Sequence, residues 1–275
     1  MSDARPIGLF DSGIGGLTVL KALSAELPNE NYIYFGDTAR APYGNKSSGS
    51  VTQYAEQTTR FLLRQNVKAL IVACNTVSAV AMARIEELAG DIPVFEVISP
   101  LVEDVSAFLK GREHARIGVL ATRRTVASRQ YPEAIARRAG ETIQVEQIAC
   151  PLFVNLVEEG IWHDQLAEAA VDHYLSVWRQ NTPDAVLLGC THYPLLKPLI
   201  EAYLPQATVL ESGPALSRVV AEALARSDMR HEDTGGSRIF YCTDALDTFV
   251  DAAVSFLGEA ATNTTQIHLK DIECI

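Results

Sequence analysis

The sequence predicts an α/β protein with mainly parallel sheet, laid out as two similar halves. Three observations point there. Short apolar runs alternate with longer amphipathic stretches along the chain, the pattern of strand–helix–strand units. Some runs, such as Ala69–Ala73, are apolar throughout, as strands covered on both faces are. Two segments also recur in the same order. Ile7-Gly8-Leu9-Phe10-Asp11-Ser12 resembles Ile117-Gly118-Val119-Leu120-Ala121-Thr122, 110 residues later. Ala69-Leu70-Ile71-Val72-Ala73-Cys74-Asn75-Thr76 resembles Ala185-Val186-Leu187-Leu188-Gly189-Cys190-Thr191-His192, 116 residues later. Either match alone is what two buried strands share by composition. Both together, at nearly one offset, favour duplication.

The elements follow in order. Ile7–Phe10 is a first apolar run, and Leu17–Leu27 has helical character. Tyr32–Phe35 reads as a strand. Val51, Tyr54, Ala55, Thr58, Phe61 and Leu62 share one helical face. Ala69–Ala73 is a strand, Val77–Leu88 a helix and Val94–Ile98 a strand. The second half repeats the alternation. Ile117–Ala121 is a strand, a helix lies near Thr125–Arg138, and a strand near Ile143–Ile148. A helix over Gln165–Gln180 leads to strand Ala185–Gly189. Strand Thr208–Leu210 and a helix near Pro214–Ala225 follow. Ser227–Ser237, polar and carrying Gly235-Gly236, is the most linker-like stretch. Strand Ile239–Cys242, helix Ala245–Leu257 and an apolar patch, Ile267–Leu269, close the chain.

Composition narrows the function. The 275 residues suit two domains or one large one, and 48% apolar with 21% charged is ordinary globular composition. A net charge of −11 repels phosphate backbones, which argues against nucleic acid as a partner. A small anion is still acceptable, because a local site can oppose the global sign. No apolar run approaches the ~20 residues of a membrane span. Met-Ser-Asp-Ala-Arg carries no stretch fit for a signal peptide, so a cytoplasmic setting without membrane contact is expected.

Five cysteines, Cys74, Cys150, Cys190, Cys242 and Cys274, make an odd set in a chain expected to be cytosolic, so a disulfide framework is not expected. There is no CxxC, and His231-Glu232 lacks a second His, so no metal is expected. Cys74 and Cys190 each end an apolar strand and precede small polar residues and a helical pattern. Ligands of open parallel sheets bind beyond such strand ends. A helix N-terminus there favours a thiolate and lowers a thiol pKa. Asn75-Thr76 and Thr191-His192 add donors for a substrate carboxylate. Two buried structural thiols are the bland alternative. For Cys150, Cys242 and Cys274 packing leads.

Asp11-Ser12-Gly13-Ile14-Gly15-Gly16 partly matches a dinucleotide fingerprint, with Asp37 placed like a ribose-binding acid. Thr18 occupies the third Gly position, and Asp11 would repel a pyrophosphate. An acid at a strand end, facing the same cleft as Cys74, is the better reading. Tyr43-Gly44 after Pro42 reads as a turn.

Taken together, Asp11-Ser12-Gly13-Ile14-Gly15-Gly16-Leu17, Asp37-Thr38-Ala39-Arg40-Ala41-Pro42-Tyr43-Gly44, Cys74-Asn75-Thr76, Cys150-Pro151-Leu152-Phe153 with Glu158, and Cys190-Thr191-His192-Tyr193-Pro194 resemble the glutamate racemases. These are cofactor-independent bacterial enzymes that supply D-glutamate for peptidoglycan. The resemblance implies that Cys74 and Cys190 are catalytic acid and base on opposite faces of the substrate. It implies that Asp11 assists Cys74, with His192 and Glu158 in the other half. Asp11, Ser12, Tyr43, Gly44, Asn75, Thr76, Thr191 and His192 would bind glutamate. It implies two similar doubly wound, mainly parallel-sheet domains about a pseudo-twofold axis, with the site in the cleft between them. Residues 1–98 with 213–275 would form the first, and 99–212 the second. No cofactor is expected, and none of the six lysines sits in a Schiff-base motif. The partner expected is glutamate itself, with a homodimer left open. The sequence departs from the family's pattern at Asn155, usually Pro, at Val97-Ile98-Ser99-Pro100, and at Glu211-Ser212, where Asp is common.

The chemistry explains two thiols. Racemisation removes a proton from one face of Cα and returns one to the other, and each acid–base partner contributes ~10²–10⁴ in rate. Three other readings stay open. An aspartate racemase or isomerase of the same superfamily would differ in substrate. A cysteine hydrolase using Cys190 with His192 would form an acyl-enzyme and leave Cys74 idle. A non-enzymatic binder of acidic metabolites would survive loss of both thiols.

Overall fold

The computed structural model describes residues 2–112, 114–140 and 142–273. The chain forms two parallel sheets, each with helices on its faces. The first holds β1 (Ile7–Asp11), β2 (Tyr32–Gly36), β3 (Ala69–Val72) and β4 (Val94–Glu96). The second holds β5 (Arg116–Ala121), β6 (Gln144–Ala149), β7 (Ala185–Gly189) and β8 (Thr208–Glu211). The last strands, β9 (Arg238–Cys242) and β10 (Thr264–Gln266), return to the first sheet. The orders are β10-β9-β2-β1-β3-β4 and β6-β5-β7-β8. All pairings are parallel. The central strands β1, β2, β3 and β7 are buried at every residue, which is why they read as unbroken apolar runs. Edge strand β6 alternates exposed and half-buried residues over its first four positions instead.

Several elements differ from the sequence expectation. The helix expected over Val77–Leu88 is two, Asn75–Val80 and Met82–Ala89, broken at Ala81 (φ −122°, ψ −1°). The helix near Thr125–Arg138 is likewise Arg123–Ser128 and Gln130–Ala139, separated by Arg129 at φ 60°. The strand expected through Ile98 stops at Glu96. The Glu96 carboxylate then accepts the Ile98 and Ser99 N–H groups at 2.6 and 2.7 Å. Those bonds satisfy orphan donors and start an unexpected helix, Ile98–Phe108, across the departing residues Val97–Pro100. Helices Pro151–Glu158 and Lys197–Tyr203 were also not expected, and Asn155 lies within the first without breaking it. The helix from Gln165 ends at Leu175 and continues as a 3₁₀ turn, Ser176–Trp178. The final strand, Thr264–Gln266, precedes the apolar patch.

The chain leaves the first sheet after β4 and returns through helix Ser212–Arg226. That helix packs on Leu17–Glu26 and on Ile98–Phe108. The linker-like stretch is pinned rather than loose. Lys68 Nζ, fully buried, lies 2.5 Å from Glu30 Oε2 and donates to Met229 O and Asp3 O at 2.7 Å. Glu30 Oε1 accepts the His231 N–H at 2.9 Å. Removing one member of a buried ion pair strands the other. Lys68→Met should therefore lower unfolding stability by ~3–5 kcal/mol in urea titrations, with the slope of the transition unchanged.

Candidate active site

Parallel strands bring their carboxyl ends to one edge of each sheet, and here the two edges face each other. Asp11 ends β1, Cys74 stands two residues beyond β3, Thr122 follows β5 and Cys190 follows β7. A single small cavity collects what these ends carry. From the first sheet's side it is lined by Ser12, Tyr43, Gly44, Cys74, Asn75 and Thr76. From the second it is lined by Thr122, Val154, Glu158, Cys190, Thr191 and His192. Its volume is about 20 Å³, room for about one water and not for an amino acid. Entry of any substrate therefore requires the two sides to part.

Each thiol has its own polar partners. The Cys74 thiol donates to Ser12 Oγ at 3.7 Å. Burial pushes the Cys74 thiol well above its ordinary range, and the Asp11 carboxylate adds to this. The Val77 N–H in the first turn of the six-residue helix Asn75–Val80 pulls the other way and is outweighed. The expected lowering of the Cys74 pKa by its helix is thus overturned, because a closed cleft removes the water a thiolate needs. Cys190 Sγ lies 3.8 Å from His192 Nδ1, and His192 Nε2 lies 3.0 Å from Glu158 Oε1. Burial pulls the His192 pKa down, but its contacts with Cys190 and Glu158 more than offset this and lift it to about 10. His192 is thus an imidazolium at neutral pH. It also meets the edge of Phe256, with ring centroids 5.7 Å apart.

Asp11 is the one expected site residue that does not line the cavity. It is 1% exposed, accepts the Gly13 N–H on Oδ2 at 3.1 Å, and leaves Oδ1 without a partner. Its reach into the site is electrostatic, through Cys74. Asp37 is fully engaged elsewhere. It takes Arg40 Nε at 2.6 Å, Thr243 Oγ1 at 2.9 Å and the Tyr43 hydroxyl, so it holds the Tyr43 wall in place. Asn75 keeps Nδ2 buried and unpartnered, a donor left for a ligand. Cys150 and Cys242 are buried among apolar side chains, with burial raising both thiols, and Cys274 lies outside the described residues.

Thr122 went unrecognised as a site residue, although the repeat carried its signal: it stands where Ser12 stands in the first half. Its hydroxyl lies 3.0 Å from Thr76 Oγ1 and 3.1 Å from Thr125 Oγ1, joining the two sides.

The family model described as Asp/Glu/hydantoin racemase matches residues 16–220. The chain belongs to this family. A glutamate racemase of Thermus thermophilus is 40% identical over 275 residues, covering 99% of this chain and 100% of that protein. One from Chlorobaculum parvum is 43% identical over 235 residues, covering 85% of each. The crystal structure of the Francisella tularensis glutamate racemase in complex with D-glutamate superimposes with a TM-score of 0.91 at 37% identity, over 98% of this chain and 99% of that one. The Picrophilus torridus aspartate racemase shares the fold, with a TM-score of 0.59 at 16% identity over 80% of this chain and 94% of that one.

The His192 shift has a consequence for stability. Its folded pKa of about 10 exceeds the ~6.5 of an unfolded imidazole. The stabilisation it contributes is therefore complete below pH ~6.5 and is lost as pH rises through about 10. NMR titration of His192 should show the raised value, and Glu158→Gln should lower it.

Proposed function

We propose that the chain interconverts L-glutamate and D-glutamate without a cofactor, by proton transfer between two thiols on opposite faces of Cα. One observation carries this reading: a cysteine from each sheet's strand ends reaches the same closed cavity. The relatives named above, glutamate racemases by name, support glutamate as the substrate. The same kinship supports a role in supplying D-glutamate for peptidoglycan and is consistent with a cytoplasmic setting. The division into residues 1–98 with 213–275 and residues 99–212 is proposed on the strand membership of the two sheets.

The roles follow from the local chemistry. A thiolate at Cys190, beside the His192 imidazolium, takes the α-proton; the C–H bond breaks and its electron pair stays on the substrate. The protonated Cys74 then delivers its own proton to the other face. In the reverse direction Cys74 is the base, and Asp11 and Ser12 are its polar neighbours. Donors on Asn75, Thr76 and Thr191 hold the carboxylates, where they also oppose the charge that develops on the substrate. The shut cavity excludes water from the carbanion.

Cys74→Ala and Cys190→Ala should each cut racemisation by at least ~10² while leaving the circular dichroism unchanged. Cys150→Ala and Cys242→Ala should stay active. Optical rotation with L-glutamate and no added cofactor reads the activity, and two-way turnover in either of the first two variants would sink the two-thiol mechanism. In D2O, L-glutamate should yield D-glutamate labelled at Cα, while L-glutamate recovered early stays largely protiated. Equal early labelling of both enantiomers would point to a single base.

A further inference from the structure

Asn75 opens helix Asn75–Val80 after β3, on the six-stranded side of the cleft. Tyr131 lies on helix Gln130–Ala139, on the four-stranded side, with its ring against Gly189. Tyr131 is fully buried, and its hydroxyl donates to Asn75 Oδ1 at 2.6 Å across the cleft. The bond occupies one end of the carboxamide. The other end, Nδ2, is buried without a partner, and Asn75 lines the cavity. An amide whose oxygen is held cannot turn without losing that bond, so its N–H donors are fixed in one direction. A buried donor left unpaired is costly until an acceptor meets it.

The position of Tyr131 adds to this. Glu96, Ser212 and the Cys190 thiol also act on its hydroxyl. Glu96 ends β4, where the chain leaves the first sheet, and Ser212 opens the helix by which it returns. Tyr131 thus stands where the two crossings between the sheets meet. Burial, with the Glu96 charge adding to it, keeps the phenol protonated and therefore a donor.

We propose that Tyr131 is a positioning residue: in the closed cleft its hydroxyl sets the Asn75 carboxamide so that Nδ2 is offered to a carboxylate of the bound amino acid, and opening releases it. This couples closure to substrate grip through one hydrogen bond, and it rests on the glutamate reading above.

Tyr131→Phe keeps the ring and removes only the donor. KM for glutamate should rise ~3- to 10-fold in both directions, with kcat falling by less than KM rises, as expected for one neutral hydrogen bond that holds the bound substrate and also opposes charge in the transition state. In an Asn75→Ala background the same change should add nothing to KM. The dissociation constant of D-glutamate, measured by calorimetry on the four proteins, should follow the same pattern and does not need turnover. An equal rise in both backgrounds would overturn the proposal, as would a fall in kcat with KM and the dissociation constant unmoved. Racemisation of glutamate by the wild-type protein is scored separately, so failure of the function and failure of this coupling are distinguishable.

Discussion

The closed cleft depends on how near the loop after β1 comes to the motif after β7. At Gly15 an added Cβ would lie 2.4 Å from both His192 Nδ1 and Thr191 Oγ1, so only a residue without a side chain fits there. The loop is held from both sides. Tyr34 donates to Gly13 O at 2.7 Å, and Thr18 Oγ1 donates to Thr191 O at 2.9 Å. A nucleotide fingerprint would use such glycines to approach a pyrophosphate. Here they let one half of the protein approach the other, and Thr18, which spoils the fingerprint, supplies the bond between them. Gly44 makes a similar approach opposite, where a Cβ would lie 2.6 Å from Thr122 Cβ.

Closure of this kind acts on two thiols with unlike surroundings. The repeat places Cys74 and Cys190 alike, yet Ala121 stands where Asp11 would be. The second half replaces that acid with His192 and Glu158. One thiol is therefore buried beside a carboxylate, which favours its protonated form, while the other sits beside a cation. Proton transfer needs such a difference at any instant, since two identical neutral thiols offer an acid and no base. In the proposed mechanism the repeated strand ends would supply the opposed thiols, and the departure from the repeat would supply the difference in charge.

What the sequence conveyed was whatever burial imposes on a continuous stretch. The central strands, the Cys-Asn-Thr and Cys-Thr-His motifs and the two-sheet layout were legible, because covered parallel strands need unbroken apolar runs and their ends need polar residues. What it hid depends on single contacts and backbone angles. Helix Ile98–Phe108 begins where the Glu96 carboxylate accepts its first N–H groups, and Arg129 splits a helix through a left-handed backbone that no periodicity signals. Tyr131 looks like an ordinary core residue until its hydroxyl is found on Asn75. The Cys74 shift inverted the expectation because the helix effect is local, whereas desolvation is a property of the closed cleft and the Asp11 carboxylate reinforces it.

The cavity also shows how an acidic protein can hold a dicarboxylate. None of its lining residues is Lys or Arg, and Arg40 nearby is committed to Asp37 and Gln57. On the proposed reading, the charge opposing a bound carboxylate would come from His192 and from neutral donors on Asn75, Thr76 and Thr191. A fixed cation salt-bridged to each carboxylate would grip the ground state as firmly as the transition state, which lowers KM without speeding the chemistry. Neutral donors in a space that exists only when the sides meet act differently. They are weak in the open, hydrated cleft and strengthen as water leaves, which is when negative charge builds on Cα and its carboxylate. On the proposed mechanism the site would concentrate its binding energy at closure, the step that would also bring the two thiols to the substrate.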